Sequence, residues 1–289
     1  MHRHQKQYAY FPGCNTESIS SELDQSMRAI APLVGIELVD IPEFACCGAG
    51  MVREQDAYAE IALCARDFAL AERQGLPILT VCSTCQGTMN HALHILKTDP
   101  DALAAVNLRM EGSGLVLRDI SAVQVIHLLD VLHEDKDSLK ELALSPNPLT
   151  GLRIAPFYGC RLLRPSSESP SSGLDQTRKF EEIIESLGLL PVNYPGRTKC
   201  CGFDIAFVDQ KAARALLRER FIEAEGAKAD ILVTSCPLCH NVLDGMQSQV
   251  RSFEEKKFPV LHLPQLIGLA LGVDERKLGL NRHVTGWKR

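Results

Sequence analysis

Long apolar runs are missing from this chain. The most apolar late segment, residues 260–273 (VLHLPQLIGLALGV), is interrupted by His262, Pro264 and Gln265. It is shorter than the ~20 residues a membrane helix needs, so it reads as core and no transmembrane segment is expected. The opening MHRHQKQYAYFPGC lacks the ~7–15-residue apolar stretch of a secretory signal, so export is not indicated. His2, Arg3 and His4 read as a disordered start. Charge of one sign is scarce too: 31 Lys and Arg stand against 36 Asp and Glu, a formal net charge of −5. No basic stripe or single-sign tail is left for a phosphate backbone, which excludes nucleic acid as an expected partner. Aromatic residues make up only 6%, and the one tryptophan, Trp287, sits in the tail HVTGWKR. It reads either as an anchor for a partner protein or as a loose end.

Cysteine, by contrast, is abundant. Ten of the 11 cysteines form one five-thiol pattern written twice: Cys14, Cys46, Cys47, Cys82 and Cys85, then Cys160, Cys200, Cys201, Cys236 and Cys239. The interval from the vicinal pair to the C-x-x-C is 35 residues in both halves, whereas Cys14 to Cys46 spans 32 and Cys160 to Cys200 spans 40. The extra residues coincide with RPSSESPSSG at 164–173, a loop composition that accepts insertion at small cost. This agreement points to duplication, with halves 1–148 and 149–289 meeting at the Pro-rich residues 145–152.

The expected fold class is α/β. Strand candidates lie at 8–11, 36–41 and 78–81, and again at 153–157, 190–193 and 231–234. Helical patterns lie between them, near 55–74, 175–187 and 210–225 among others. Residues 98–119 extend the first half without adding ligands. Alternating strand and helix implies a mostly parallel sheet in each half, whose right-handed crossovers bring every carboxyl-end loop to one edge. The five thiols of each half would converge there, where open α/β sheets generally hold their ligands. Both C-x-x-C units open a helix, whose unpaired amides favour thiolate.

So many thiols in a chain with no export signal point to metal ligation or redox chemistry, because cytosolic reductants keep disulfides rare. A tetrahedral zinc site takes four thiolates, and each half offers five on separate loops. A dithiol oxidoreductase would use C-x-x-C and leave three cysteines per half unexplained. A multi-iron iron–sulfur cluster accommodates vicinal cysteines and is the favoured reading. A zinc-stabilised structural scaffold is the rival of another class. Cys64, within a helical run and without a counterpart, reads as buried packing; His91 and His94 read as the polar side of a helix. His240, after Cys239, reads either as a proton donor or sulfur hydrogen-bond partner or as a structural cap. Arg161 and Lys199 adjoin ligands and read either as counter-charge for an anionic site or substrate or as surface charge.

The spacing Cys…Cys-Cys-Gly…Cys-x-x-Cys, present twice, resembles the CCG-domain proteins, above all the B component of heterodisulfide reductase. YFPGC (10–14), FYGC (157–160), CCGAG (46–50), CPLCH (236–240), VLHLPQLIGLALG (260–272) and LGLNRH (278–283) resemble that family's blocks. The resemblance implies two noncubane [4Fe-4S] clusters, one on each set of five cysteines, facing a cavity where a disulfide is cleaved. It implies electrons from a small ferredoxin-like iron–sulfur subunit fed by a flavoprotein subunit, and a cytoplasmic location with membrane association only through partners. Arg161 stands where methanogen enzymes have His, and Phe203 to Phe207 replace expected glycines, so the pocket is expected to be reshaped. Relatives in succinate:quinone and fumarate reductases or in sulfur oxidation widen the substrate to quinone-linked or carrier-bound sulfur groups, and imply as an alternative an electron-transfer or membrane-docking subunit of an unusual succinate:quinone or fumarate reductase. Protein purified without oxygen should be brown and carry iron and acid-labile sulfide for two multinuclear clusters; a colourless protein with stoichiometric zinc and no sulfide would contradict this.

Overall fold

A computed structural model describes residues 5–163, 178–252 and 254–287; the expected insertion at 164–173 and the start at 2–4 lie outside them. Two four-stranded sheets carry the fold. The first contains β1 (Lys6–Phe11), β2 (Ile36–Asp40), β3 (Ile78–Thr80) and β4 (Val125–His127), ordered β2-β1-β3-β4. The second contains β5 (Arg153–Phe157), β6 (Leu190–Pro191), β7 (Ile231–Thr234) and β8 (Val260–His262), ordered β6-β5-β7-β8. Every pairing is parallel.

Side-chain alternation along each strand explains how both faces are buried. In β1, Ala9 and Phe11 enter one apolar core while Tyr8 and Tyr10 enter the other; in β7, Leu232 enters the first, and Ile231 and Val233 the second. Both cores draw on both halves of the chain. One joins Phe11, Phe68 and Met89 to Phe157, Phe221 and Leu243. The other joins Met27 and Ile30 to Leu266 and Ile267, and Leu128 and Leu132 to Phe180 and Ile183.

The packing is crossed. The first-half helix Ser21–Ile30 lies against the second-half helix Leu263–Ala270, and the second-half helix Lys179–Ser186 lies against the first-half helices Leu128–Glu134 and Lys136–Leu142. In both sheets the chain moves from the first strand to one side and then back to the other. The resulting switch point lies between β1 and β3, and between β5 and β7, where a crevice opens beyond the carboxyl ends.

The six expected strands are present, and β4 and β8 are additional. Residues 260–270 are buried core as expected, beginning with a strand before the helix, while residues 271–273 are partly or fully exposed. The helix expected at 55–74 is broken at Asp56, whose carboxylate accepts from Ala59 N at 3.0 Å and caps Ala57–Gln74. The expected linker is packed: Asn147 Nδ2 donates to Leu187 O at 2.9 Å, and Leu149 is buried. Truncating Ile30 to Ala, in the crossed core, should cost roughly 2–5 kcal/mol in urea unfolding while preserving a single transition. Two separable transitions would contradict cores shared between the halves.

Candidate functional site

Each thiol follows the carboxyl end of a strand. Cys14 follows β1, Cys46 and Cys47 follow β2, and Cys82 follows β3 directly; Cys160, Cys200, Cys201 and Cys236 repeat this after β5, β6 and β7. Cys82 is the N-cap of helix Ser83–Thr98, and Cys236 that of helix Pro237–Gly245, with Pro237 in the first turn. This places Cys85 and Cys239 in the first helical turns.

The thiols of each half meet. Cys14 Sγ lies 3.6 Å from Cys46 Sγ, and the set continues with Cys47 beside Cys46, Cys85 beside Cys47 and Cys82 beside Cys85. The second half follows the same path from Cys160 through Cys200, Cys201 and Cys239 to Cys236. The two paths join, because Cys82 Sγ and Cys236 Sγ are 4.0 Å apart. Ser83 and Ser235 lock this junction: their hydroxyls are 3.0 Å apart, Ser83 Oγ donates to Ser235 O at 3.0 Å, and Ser83 N donates to it at 3.2 Å. His127 Nε2, 3.0 Å away, reaches the same carbonyl.

Backbone amides address the sulfurs directly. Gly48 N donates to Cys46 Sγ at 3.4 Å, Gly202 N to Cys200 Sγ at 3.3 Å, and Cys85 N to Cys82 Sγ at 3.4 Å. Contacts with Cys14 and Cys47 draw Cys46 well below the ordinary thiol value, those with Cys160 and Cys201 do the same for Cys200, and those with Cys239 and Cys82 for Cys236. A β-carbon on Gly13 would stand 3.2 Å from Cys85 Sγ, and one on Gly159 3.0 Å from Cys239 Sγ, both at positive φ. Only glycine leaves the sulfur room there.

Five thiols in each set, addressed by N–H donors and approached by bare backbone, exceed one tetrahedral ion and suit a sulfur-bridged group of several irons. The sets differ in access. Cys14 and Cys46 are exposed, Cys160 and Cys200 partly buried. The second set opens on a cleft lined by Thr84, Arg161, Phe203, Asp204 and Leu238. Thr84 Oγ1 is 3.4 Å from Cys236 Sγ, and the Arg161 guanidinium is 3.8 Å from Asp204. A cavity of about 200 Å³ beside Cys14 and Cys46 contains Tyr10, Arg28 and Asp40.

Arg161 therefore lies at the mouth of the second set. Lys199 turns away to Glu223 at 2.7 Å. Among the described residues His240 does not line the cleft: its ring is buried, with Nε2 3.0 Å from Val260 O, and stacks on His262. Cys64 is buried as expected and also donates to Cys47 O at 3.3 Å. Trp287 packs on its own chain, with Nε1 donating to Glu275 at 3.2 Å. Sequence reasoning missed Thr84, Ser83, Ser235 and His127. The available signal for His127 was the repeat of Val-x-His-Leu at 125–128 and 260–263.

The geometry is that of a duplicated thiol-rich metal-binding protein. The cysteine-rich domain known as CCG matches residues 8–90 and 154–244, and the chain belongs to that family. It is 36% identical over 97% of its length to the 8-methylmenaquinol:fumarate reductase membrane anchor subunit of Wolinella succinogenes, covering 97% of that protein. It is 30% identical over 94% of its length to the B component of the ferredoxin/F420H2-dependent CoB-CoM heterodisulfide reductase of Methanosarcina acetivorans, covering 92% of it. A protein of Archaeoglobus profundus, named as similar to the same heterodisulfide reductase component, is 31% identical, with 94% of this chain and 92% of that one covered. A crystal structure of a hypothetical protein from Helicobacter pylori shares the fold, with a TM-score of 0.76 at 17% identity; the match takes in 100% of this chain and 55% of that one. Among the described residues no helix is long and apolar enough to cross a membrane.

Replacing Gly159 with Ala combines positive-φ strain of about 1–2 kcal/mol with crowding of Cys239. It should remove about half of the bound iron and sulfide, leaving the first set loaded, by metal analysis of folded protein. Full loading would contradict the close-approach role.

Proposed function

We propose that this chain is a redox subunit of the heterodisulfide reductase B type that binds two noncubane-type [4Fe-4S] clusters. One is held by Cys14, Cys46, Cys47, Cys82 and Cys85, the other by Cys160, Cys200, Cys201, Cys236 and Cys239. The units of duplication are taken as 1–148 and 149–289. The observation that carries this reading is the unbroken path of ten thiols through the 4.0 Å contact of Cys82 with Cys236. When bound, such clusters supply one-electron exchange at two neighbouring centres.

The chain's own groups supply binding and orientation. Arg161, at the mouth, offers a charge to an anionic disulfide or carrier-bound sulfur substrate. Phe203 and Leu238 give the cleft an apolar wall. The Gly48 and Gly202 amides stabilise negative charge on Cys46 and Cys200. Electrons would pass between this chain and a ferredoxin-like iron–sulfur subunit and flavoprotein within a multisubunit complex. The complex would be cytoplasmic, with membrane association through partners.

A second reading is favoured by the 36% identity to the fumarate reductase subunit. In it, the same centres relay electrons between quinone and a fumarate or succinate flavoprotein. Identification of the co-purifying flavoprotein decides between the two.

Removing Cys200 should abolish one paramagnetic signal and retain the other; a zinc scaffold has no such signal. Replacing Arg161 with Ala at constant iron and sulfide should slow turnover of an anionic disulfide about tenfold, the ~1.5 kcal/mol of a hydrogen bond to a charged group. Unchanged kinetics would remove Arg161 from substrate binding.

A further inference from the structure

Away from the thiols, Glu22, His240 and His262 offer ligand atoms that all lie within 4.8 Å of one another. They come from three places: the start of the first-half helix, the residue after Cys239, and the end of β8. All are buried, at 4%, 3% and 0% exposure.

Hydrogen bonding within this group is incomplete. His262 Nε2 lies 3.0 Å from Glu22 Oε1, and its Nδ1 has no partner. Among the described residues, His262 is the ion-pair partner of Glu22. Glu22 is thus a buried carboxylate set beside buried imidazoles, with donors drawn from both halves of the chain.

His240 already has the orientation of a ligand. Its Nε2 engages the Val260 carbonyl at 3.0 Å, the kind of outer hydrogen bond that fixes the tautomer of a metal-bound imidazole. The His240 and His262 rings stack with centroids 3.8 Å apart, and His283 closes over them edge-on to His240 at 4.8 Å. Bonds of ~2.0–2.1 Å to a tetrahedral ion place donors roughly 3.4 Å apart, so the set must unstack and close by about an ångström.

We propose that Glu22, His240 and His262 form a third metal site for one divalent transition cation such as Zn2+. Two imidazoles and a carboxylate are the donor set that such ions accept. The ion fastens the first-half helix Ser21–Ile30 to the second half immediately behind Cys239, and this assignment does not depend on which group the thiols hold.

The test uses full-length protein with its thiol sites loaded and iron and sulfide quantified, equilibrated with Zn2+ and then freed of excess. Zinc analysis and zinc X-ray absorption should find about one ion per chain with nitrogen and oxygen neighbours near ~2.0 Å. Glu22→Gln, close in shape to the native residue, and separately His262→Gln should weaken retention by more than about tenfold at unchanged iron and sulfide. No retained zinc, or equal retention in both variants, would overturn the site while leaving the iron–sulfur reading intact. Zinc with sulfur neighbours near ~2.3 Å would place the ion on thiols and overturn the site, while the measured iron and sulfide report separately on the iron–sulfur reading.

Discussion

The contact between Cys82 and Cys236 is the constraint on which the rest of the structure depends. It exists because two parallel sheets present their carboxyl edges to each other, and Ser83 and Ser235 lock the two helix starts at 3.0 Å. Crossed helices hold that arrangement, each half placing an early helix against the other's last one. The loops after the first cysteine of each half follow the same logic. Asn15, beside Cys14, accepts from Asn241 of the second C-x-x-C helix at 2.9 Å, while Arg161, beside Cys160, packs on Gly87 of the first. A β-carbon at Gly87 would sit 3.0 Å from the Arg161 carbonyl, so the absence of a side chain there sets how closely the halves approach.

The repeat is regular in its sulfurs and divergent around them. Thr84 touches Cys236, whereas the matching residue of the second half is the apolar Leu238. Helices Ala57–Gln74 and Gln210–Gly226, aligned on their caps Asp56 and Asp209, place buried Asp67 in one half opposite buried Arg220 in the other. Behind the C-x-x-C units, Gln86 and Asp130 in the first half match His240 and Gln265 in the second. Charge and hydrogen bonding near sulfur tune a centre's potential. These differences give the two sulfur sets unlike surroundings.

Much of this was legible in the sequence because it followed from spacing. The constant 35-residue interval reported the duplication, and strands ending just before Cys82 and Cys236 reported the shared edge. β4 and β8 were not legible. Each has three residues and runs into a helix through His127 or His262, too short for alternation to show. The engagement of His240 with Val260 was equally hidden, because it depends on β8 lying beside the helix that follows Cys239. Crossed packing is a tertiary property, and no local periodicity encodes which half a helix will cover.

Juxtaposition of the two sulfur sets is tested most directly by electron paramagnetic resonance of loaded protein poised so that both centres are paramagnetic. Centres whose ligands touch at Cys82 and Cys236 should split or broaden each other's signals through spin–spin interaction. Two sharp, mutually independent signals, or a single centre at full iron loading, would contradict the arrangement.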